Sequence, residues 1–129
     1  MSRILLAEDD PALRRLLAAI LEEAGHRVLA VADGEAAAEA LQAFTPDLVV
    51  TDILMPRRDG LELIRAIRGS RAGTPILAIS GGGTSGMDEV LRFARLLGAD
   101  ATLAKPFGLV ELHGAVDRLL QERPLRRAA

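Results

Sequence analysis

Short apolar segments alternate with amphipathic stretches along the chain, and this alternation predicts an α/β fold. Five segments of about strand length contain few polar residues, as expected for strands buried on both faces. They are RILLA (3–7), RVLAV (27–31), DLVVT (47–51), PILAIS (75–80) and ATLA (101–104). Because helical patterns separate them, we predict a doubly wound sheet of five parallel strands with right-handed crossovers and helices on both faces.

The predicted helices have recognisable start and stop signals. In residues 11–25, apolar side chains recur at helical spacing, with Asp10 as the N-cap, Pro11 at the first position and Gly25 at the end. The last amphipathic stretch ends near residue 122, so we predict one domain over residues 1–122. The sequence RPLRRAA, residues 123–129, forms a short basic tail that we expect to be disordered.

Composition narrows the possible functions. Half of the 129 residues are apolar, and no apolar run is long enough to span a bilayer. The start of the chain is too acidic for a signal peptide, which favours a cytoplasmic location. A net charge of −2 and the absence of Trp and Tyr argue against direct nucleic-acid binding. With no cysteine, His26 and His113 remain as soft metal ligands, and their separation in the sequence disfavours a zinc site.

Polar side chains gather where the predicted strands end, which is where open parallel sheets bind ligands. Those ends carry Glu8, Asp9, Asp10, Asp52, Ser80 and Lys105. Taken alone, the acidic segment EDD (8–10) would also fit a solvated loop with a helix cap. Together with Asp52 it favours a cation, and oxygen-only ligands favour Mg²⁺. Magnesium beside a carboxylate, a hydroxyl and an ammonium group suits phosphoryl transfer, with Asp52 as a nucleophile that forms an aspartyl-phosphate.

Lys105 is the only lysine in a chain that contains fifteen arginines. Lysine is a compact point charge and arginine a planar fork, so a site that needs a single-point contact would not accept the exchange. An ordinary surface lysine is the alternative explanation.

Four segments together resemble the receiver domains of bacterial two-component response regulators. They are ILLAEDD (4–10), LVVTDILMPRRDG (48–60), PILAIS (75–80) and GADATLAKPF (98–107), and the resemblance covers nearly the whole chain. It implies the flavodoxin-like strand order 2-1-3-4-5. It also implies a stand-alone, single-domain protein of the chemotaxis type.

The resemblance implies a role for each matching residue. Asp52 corresponds to the phosphoacceptor. The implied magnesium ligands are Glu8, Asp9, Asp52 and the backbone carbonyl of Leu54, and the implied phosphoryl-binding residues are Ser80, Gly81 and Lys105. The bond between Lys105 and Pro106 is expected to be cis.

One position departs from the family pattern. Receivers commonly carry Tyr or Phe three residues before the lysine, coupled to the Ser or Thr hydroxyl, whereas this chain has Thr102. The implied switch therefore consists of Ser80 and Thr102. Its output is expected on the face made by the fourth helix, fifth strand and fifth helix, near Arg92, Arg95 and Leu96.

A receiver would take its phosphoryl group from a histidine kinase or phosphotransfer protein and would signal by contact with an unidentified downstream protein. Its only catalysis would be slow self-phosphorylation and self-dephosphorylation, and no membrane partner is implied. A phosphorylation-independent binding module is one alternative. A phosphatase of the haloacid-dehalogenase kind is less favoured, because it needs a second Asp where this chain has Leu54. A flavodoxin-like FMN carrier is disfavoured because the segment EDDPA would repel a phosphate.

Overall fold

The computed structural model describes residues 2–55, 59–71, 73–81 and 87–128. The strands are β1 (Arg3–Ala7), β2 (Arg27–Val31), β3 (Leu48–Asp52), β4 (Ile76–Gly81) and β5 (Ala101–Lys105). The helices are α1 (Pro11–Glu23), α2 (Gly34–Ala43), α3 (Gly60–Ser70), α4 (Met87–Leu97) and α5 (Leu109–Ala128). The strands form one parallel sheet in the order β2-β1-β3-β4-β5, which confirms the prediction.

The core consists of two apolar layers, one on each face of the sheet. Along β1, Leu5 and Ala7 join the layer that packs against α2, α3 and α4, whereas Ile4 and Leu6 join the layer that packs against α1 and α5. Successive side chains of a strand point to opposite faces, so a strand covered on both faces needs apolar residues throughout. This explains why β3 is buried along its whole length, while the edge strand β2 is partly exposed.

The predicted ends of α1 are confirmed. The side chain of Asp10 accepts hydrogen bonds from the backbone N–H groups of Ala12 at 3.0 Å and Leu13 at 3.4 Å, and Pro11 opens the helix. Gly25 follows the last turn with a φ of 102°, a conformation that favours glycine. The cap satisfies two backbone donors and so fixes where the loop after β1 must end.

The C-terminal helix is longer than predicted. α5 continues to Ala128, whereas we expected a disordered tail from residue 123. Arg, Leu and Ala are strong helix formers, so most of this segment favours continuation of the helix. None of the helices in the described part of the chain is long and apolar enough to cross a bilayer.

The Nδ1 atom of His26 is buried without a hydrogen-bond partner among the described residues. His26 lies between α1 and β2. Burial lowers the pKa of His26, the charge of Asp117 opposes this shift, and the charge of His113 adds to it. In the part of the chain that the structure describes, the one convergent group of possible metal ligands consists of carboxylates and includes neither histidine.

Candidate functional site

The carboxyl ends of three strands bring charged side chains together. Glu8 directly follows β1, Asp52 ends β3 and Lys105 ends β5. Nζ of Lys105 donates to Oε1 of Glu8 and to Oδ2 of Asp52, at 2.9 Å in each case. The two carboxylates come from adjacent strands, whereas Lys105 reaches them from the edge strand beyond β4. From the sequence we expected Lys105 at this edge of the sheet, but we did not predict that it contacts Glu8.

These contacts allow two carboxylates to be buried. Glu8 is 1% exposed and Asp52 is 5% exposed, positions where an unpaired ion would be costly. Oδ1 of Asp52 also accepts from the backbone N–H of Leu54 at 3.2 Å, and Oε2 of Glu8 accepts from that of Asp10 at 3.1 Å. All four carboxylate oxygens of the pair therefore accept a hydrogen bond.

The environment shifts the protonation of both partners. The pKa of Glu8 is raised from 4.5 to about 7, mainly by burial and also by the charge of Asp52. The hydrogen bonds from Lys105 and the Asp10 N–H and the charge of Lys105 oppose this shift. Burial also lowers the pKa of Lys105, but the hydrogen bonds and charges of Asp52 and Glu8 outweigh it, so the net shift is upward. Lys105 is thus an ammonium ion at neutral pH, whereas Glu8 keeps its proton to a higher pH than an exposed carboxyl group does.

Asp9 completes an acidic cluster at the same edge of the sheet. Its side chain is exposed, and ligand oxygens of Glu8, Asp9 and Asp52 lie within 4.8 Å of one another. Oxygens this close can share one cation, and an all-oxygen set suits a hard divalent ion. The backbone of Leu54 lies beside them through its hydrogen bond to Asp52. The structure therefore brings together the three carboxylates that the resemblance implied for metal binding.

The end of β4 lies between the ends of β3 and β5 and carries Ser80 and Gly81. Ser80 is fully buried, and Gly81 is paired in register with Lys105. A Cβ atom added at Gly81 would meet no heavy atom of the described residues within 4 Å. Gly81 therefore leaves room beside the lysine at the strand ends. The peptide bond from Lys105 to Pro106 is cis.

The residues expected at the output face divide between two cavities. Thr102 on β5 is partly buried and lines a cavity of about 370 Å³ together with Arg95 and residues of α5. Arg92 and Leu96 instead line a cavity on α4 together with Phe93. Arg95 and Thr102 thus line one cavity, and Arg92 and Leu96 line another.

Gly60 was missed by the sequence analysis, although it packs directly behind Asp52. Its N–H donates to the carbonyl of Ile53 at 2.7 Å. A Cβ atom at this position would lie 2.3 Å from the carbonyl oxygen of Asp52, which is far closer than van der Waals contact. The available signal was a glycine at the start of a helix, directly after the N-cap Asp59. Such a glycine can mark a close approach between backbone segments.

The sequence of most of the chain matches a known family. Residues 4–117 match the response regulator receiver domain. The chain belongs to this family. The receiver is 42% identical over 125 residues to the transcriptional activator protein PfeR of Pseudomonas aeruginosa, and 38% identical over 130 residues to the transcriptional regulatory protein TcrA of Mycobacterium tuberculosis. Both alignments cover 97% of the receiver but only 40% and 48% of these relatives, so the chain spans less than half of their length.

Solved receiver structures share the fold. The receiver domain of a signal transduction histidine kinase from Syntrophus aciditrophicus gives a TM-score of 0.84 at 33% identity, over 94% of this chain and 91% of that one. The chemotaxis response regulator CheY4 of Vibrio cholerae gives a TM-score of 0.83 at 29% identity, over 92% of this chain and 98% of that one. Receiver domains are generally signalling modules rather than enzymes. They bind Mg²⁺ at an acidic pocket and interact with histidine kinases and downstream effectors.

Proposed function

We propose that the receiver domain, residues 1–122, accepts a phosphoryl group on Asp52 in a Mg²⁺-dependent reaction, with a histidine kinase or phosphotransfer protein as donor. The position of the Asp52 carboxylate carries the proposal. It lies at the end of β3 in contact with Lys105, and its oxygens are close enough to those of Glu8 and Asp9 to share a cation. A carboxylate can accept a phosphoryl group when the surrounding negative charge is neutralised.

The acidic cluster fits magnesium. The residues that would hold the ion are Glu8, Asp9, Asp52 and, through its backbone carbonyl, Leu54. Mg²⁺ prefers a few oxygen ligands from the protein together with water and phosphate oxygens, and Asp9 leaves the cluster open to solvent. When bound, the ion would neutralise the carboxylates and the oxygens of the incoming phosphoryl group.

Lys105, Ser80 and Gly81 would bind the transferred group. The transfer breaks the P–N bond of a phosphohistidine and forms a P–O bond to a carboxylate oxygen of Asp52, while the histidine nitrogen keeps the electron pair. The Lys105 ammonium would supply positive charge to one phosphoryl oxygen. The Ser80 hydroxyl would donate to another oxygen, and Gly81 leaves the space that the group requires.

Ser80 and Thr102 would form the switch that transmits phosphorylation. A phosphoryl group adds about −2 charge and three acceptor oxygens, which would draw the Ser80 hydroxyl toward Asp52. Thr102 lies two strand positions before Ala104, the residue paired with Ser80, and lines the same cavity as Arg95. A downstream protein would therefore detect the change on the face of α4, β5 and α5.

The phosphoryl group would be lost only slowly. A phosphatase of the haloacid-dehalogenase kind uses an acid–base Asp two positions after the nucleophile, and the side chain of Leu54 cannot transfer a proton. The chain's own catalysis would be limited to slow self-phosphorylation and self-dephosphorylation. A long-lived phosphoryl group suits signalling.

Removal of magnesium should prevent phosphorylation. With acetyl phosphate and Mg²⁺, the chain should gain the mass of one phosphoryl group, and excess EDTA should eliminate this gain because the clustered carboxylates then repel the donor. Intact-mass spectrometry with and without EDTA measures the effect. Equal labelling with and without EDTA would contradict the role of the metal. Rapid multiple turnover of a small phosphate ester would favour the phosphatase alternative.

Lys105→Arg should slow labelling although it keeps the positive charge. Nζ contacts two carboxylate oxygens from a single atom, whereas a guanidinium spreads its donors over a planar fork. We expect the initial rate with acetyl phosphate to fall about tenfold or more, since a misplaced donor no longer stabilises the reacting oxygens. Arg118→Lys, at an exposed position of α5, is the control. Equal rates in both variants would show that the site accepts any cation.

A further inference from the structure

The loop between β1 and α1 carries two of the three clustered carboxylates, and its backbone is held from both sides. The N–H of Glu8 donates to the carbonyl of Val31 on β2 at 3.1 Å. The carbonyl of Glu8 accepts from Nη1 of Arg14 on α1 at 3.0 Å. This carbonyl belongs to the peptide group that joins Glu8 to Asp9. Arg14 therefore contacts the one peptide group that links both acidic residues.

Arg14 can hold this peptide group because α1 is itself fixed in the fold. The helix is capped by Asp10, and Leu17 and Leu21 on its inner side are buried in the core. Side chains of a helix point back toward its N-terminus, which directs the guanidinium of Arg14 toward the end of β1. The neighbouring Arg15 is exposed.

We propose that Arg14 is a positioning residue for magnesium binding. By holding the carbonyl of Glu8, Arg14 fixes the orientation of the peptide group between Glu8 and Asp9, and thus the placement of their carboxylates relative to Asp52. The inference rests on the proposed function, because it assumes that these carboxylates bind Mg²⁺. Groups that orient metal ligands commonly affect metal affinity without contacting the ion.

Positioning and charge predict opposite effects when Arg14 is removed. The guanidinium is a positive charge beside an acidic cluster, so its loss alone would strengthen the binding of a cation. Loss of the hydrogen bond to Glu8 instead frees the peptide group and weakens binding, because the carboxylates are no longer held at a fixed spacing. The sign of the change in Mg²⁺ affinity therefore separates the two effects.

The test is calorimetric titration of Mg²⁺ into the full chain, which contains neither Trp nor Tyr to report binding by fluorescence. Arg14→Met keeps the apolar stem but removes the donor, and it should raise the dissociation constant about tenfold or more. Arg14→Lys keeps a donor and should restore most of the affinity. Arg15→Met removes the same charge from an exposed position and should change the affinity by less than about twofold.

A kinetic measurement distinguishes positioning from a general loss of structure. The rate of labelling by acetyl phosphate is measured as Mg²⁺ increases, and Arg14→Met should need more Mg²⁺ but approach the maximum rate of the unsubstituted chain. Unchanged or tighter Mg²⁺ binding in this variant, or a maximum rate that stays low, would overturn the role of Arg14. Failure of the unsubstituted chain to bind Mg²⁺ would overturn the proposed function as well. If circular dichroism shows that Arg14→Met is unfolded, Arg14→Gln replaces it, and we expect this variant to show the same weaker Mg²⁺ binding and the same retained maximum rate.

Discussion

Asp52→Asn should abolish the Mg²⁺-dependent gain of a phosphoryl group while leaving the fold intact. An amide is not a nucleophile toward phosphorus under these conditions, so the acceptor is lost although the side chain keeps its size. The charge that Asp52 offers to a shared cation is lost as well, which weakens magnesium binding at the cluster. Intact-mass spectrometry after incubation with acetyl phosphate and Mg²⁺ measures the result.

The fold should tolerate this substitution because Lys105 keeps a second partner. The carboxylate of Asp52 accepts from Lys105 and from the Leu54 N–H through two different oxygens, and an amide offers only one oxygen. One of the two contacts is therefore lost, while the contact between Lys105 and Glu8 remains. We expect the free energy of unfolding to fall by about 1.5–3 kcal/mol, as for the loss of a single hydrogen bond to a charged group.

The matched control for this prediction is Asp117→Asn, which makes the same change at an exposed position of α5. Its labelling should equal that of the unsubstituted chain. Labelling of Asp52→Asn at the wild-type level would show that another carboxylate accepts the group. Asp9 would then be the first residue to substitute, because it is the exposed member of the cluster.

The sequence predicted the features of this fold that depend on local patterns. The apolar runs identified the strands because each central strand needs apolar residues on both faces. Asp10 and Gly25 marked the ends of α1 because caps require specific residue types at fixed positions. The end of α5 differs from the expectation: the helix continues to Ala128, whereas the basic composition of residues 123–129 suggested a tail.

Contacts between distant parts of the chain could not be predicted in the same way. Arg68 donates to the carbonyl of Gly98 at 2.9 Å and to the carboxylate of Asp100 at 2.6 Å, which joins α3 to the turn before β5. Local periodicity shows only that Arg68 lies near the end of a helix. The contact of Arg14 with Glu8 was missed for the same reason, because nothing in the pattern distinguishes Arg14 from Arg15.

Within the candidate site, the sequence predicted which residues converge but not how they balance their charges. The strand ends identified Glu8, Asp52 and Lys105, since parallel strands deliver their carboxyl ends to one edge. The shared contact of Lys105 with both carboxylates depends on where the edge strand β5 places the end of its last side chain. That placement is set by the packing of the whole sheet.

Gly60→Ala should destabilise the fold and slow phosphorylation of Asp52. The added Cβ atom would lie 2.3 Å from the carbonyl oxygen of Asp52 and 2.6 Å from Cα of Ile53. Both are backbone atoms and cannot rotate away, so the start of α3 must move and weaken the hydrogen bond between Gly60 N–H and Ile53, which is 2.7 Å long. We expect the free energy of unfolding to fall by about 2–4 kcal/mol.

The same helix provides a control substitution that should raise the free energy of unfolding rather than lower it. A Cβ atom at Gly69 would meet no atom of the described part of the chain within 4 Å. Gly69→Ala therefore adds no clash there and gains the higher helix propensity of alanine, about 0.5–1 kcal/mol. Urea unfolding followed by circular dichroism compares the two variants. Labelling by acetyl phosphate should slow in Gly60→Ala alone, because only this substitution displaces the backbone of the acceptor. Equal stability of the two variants would show that the contact behind Asp52 relaxes without cost, and that close packing at Gly60 does not position the acceptor.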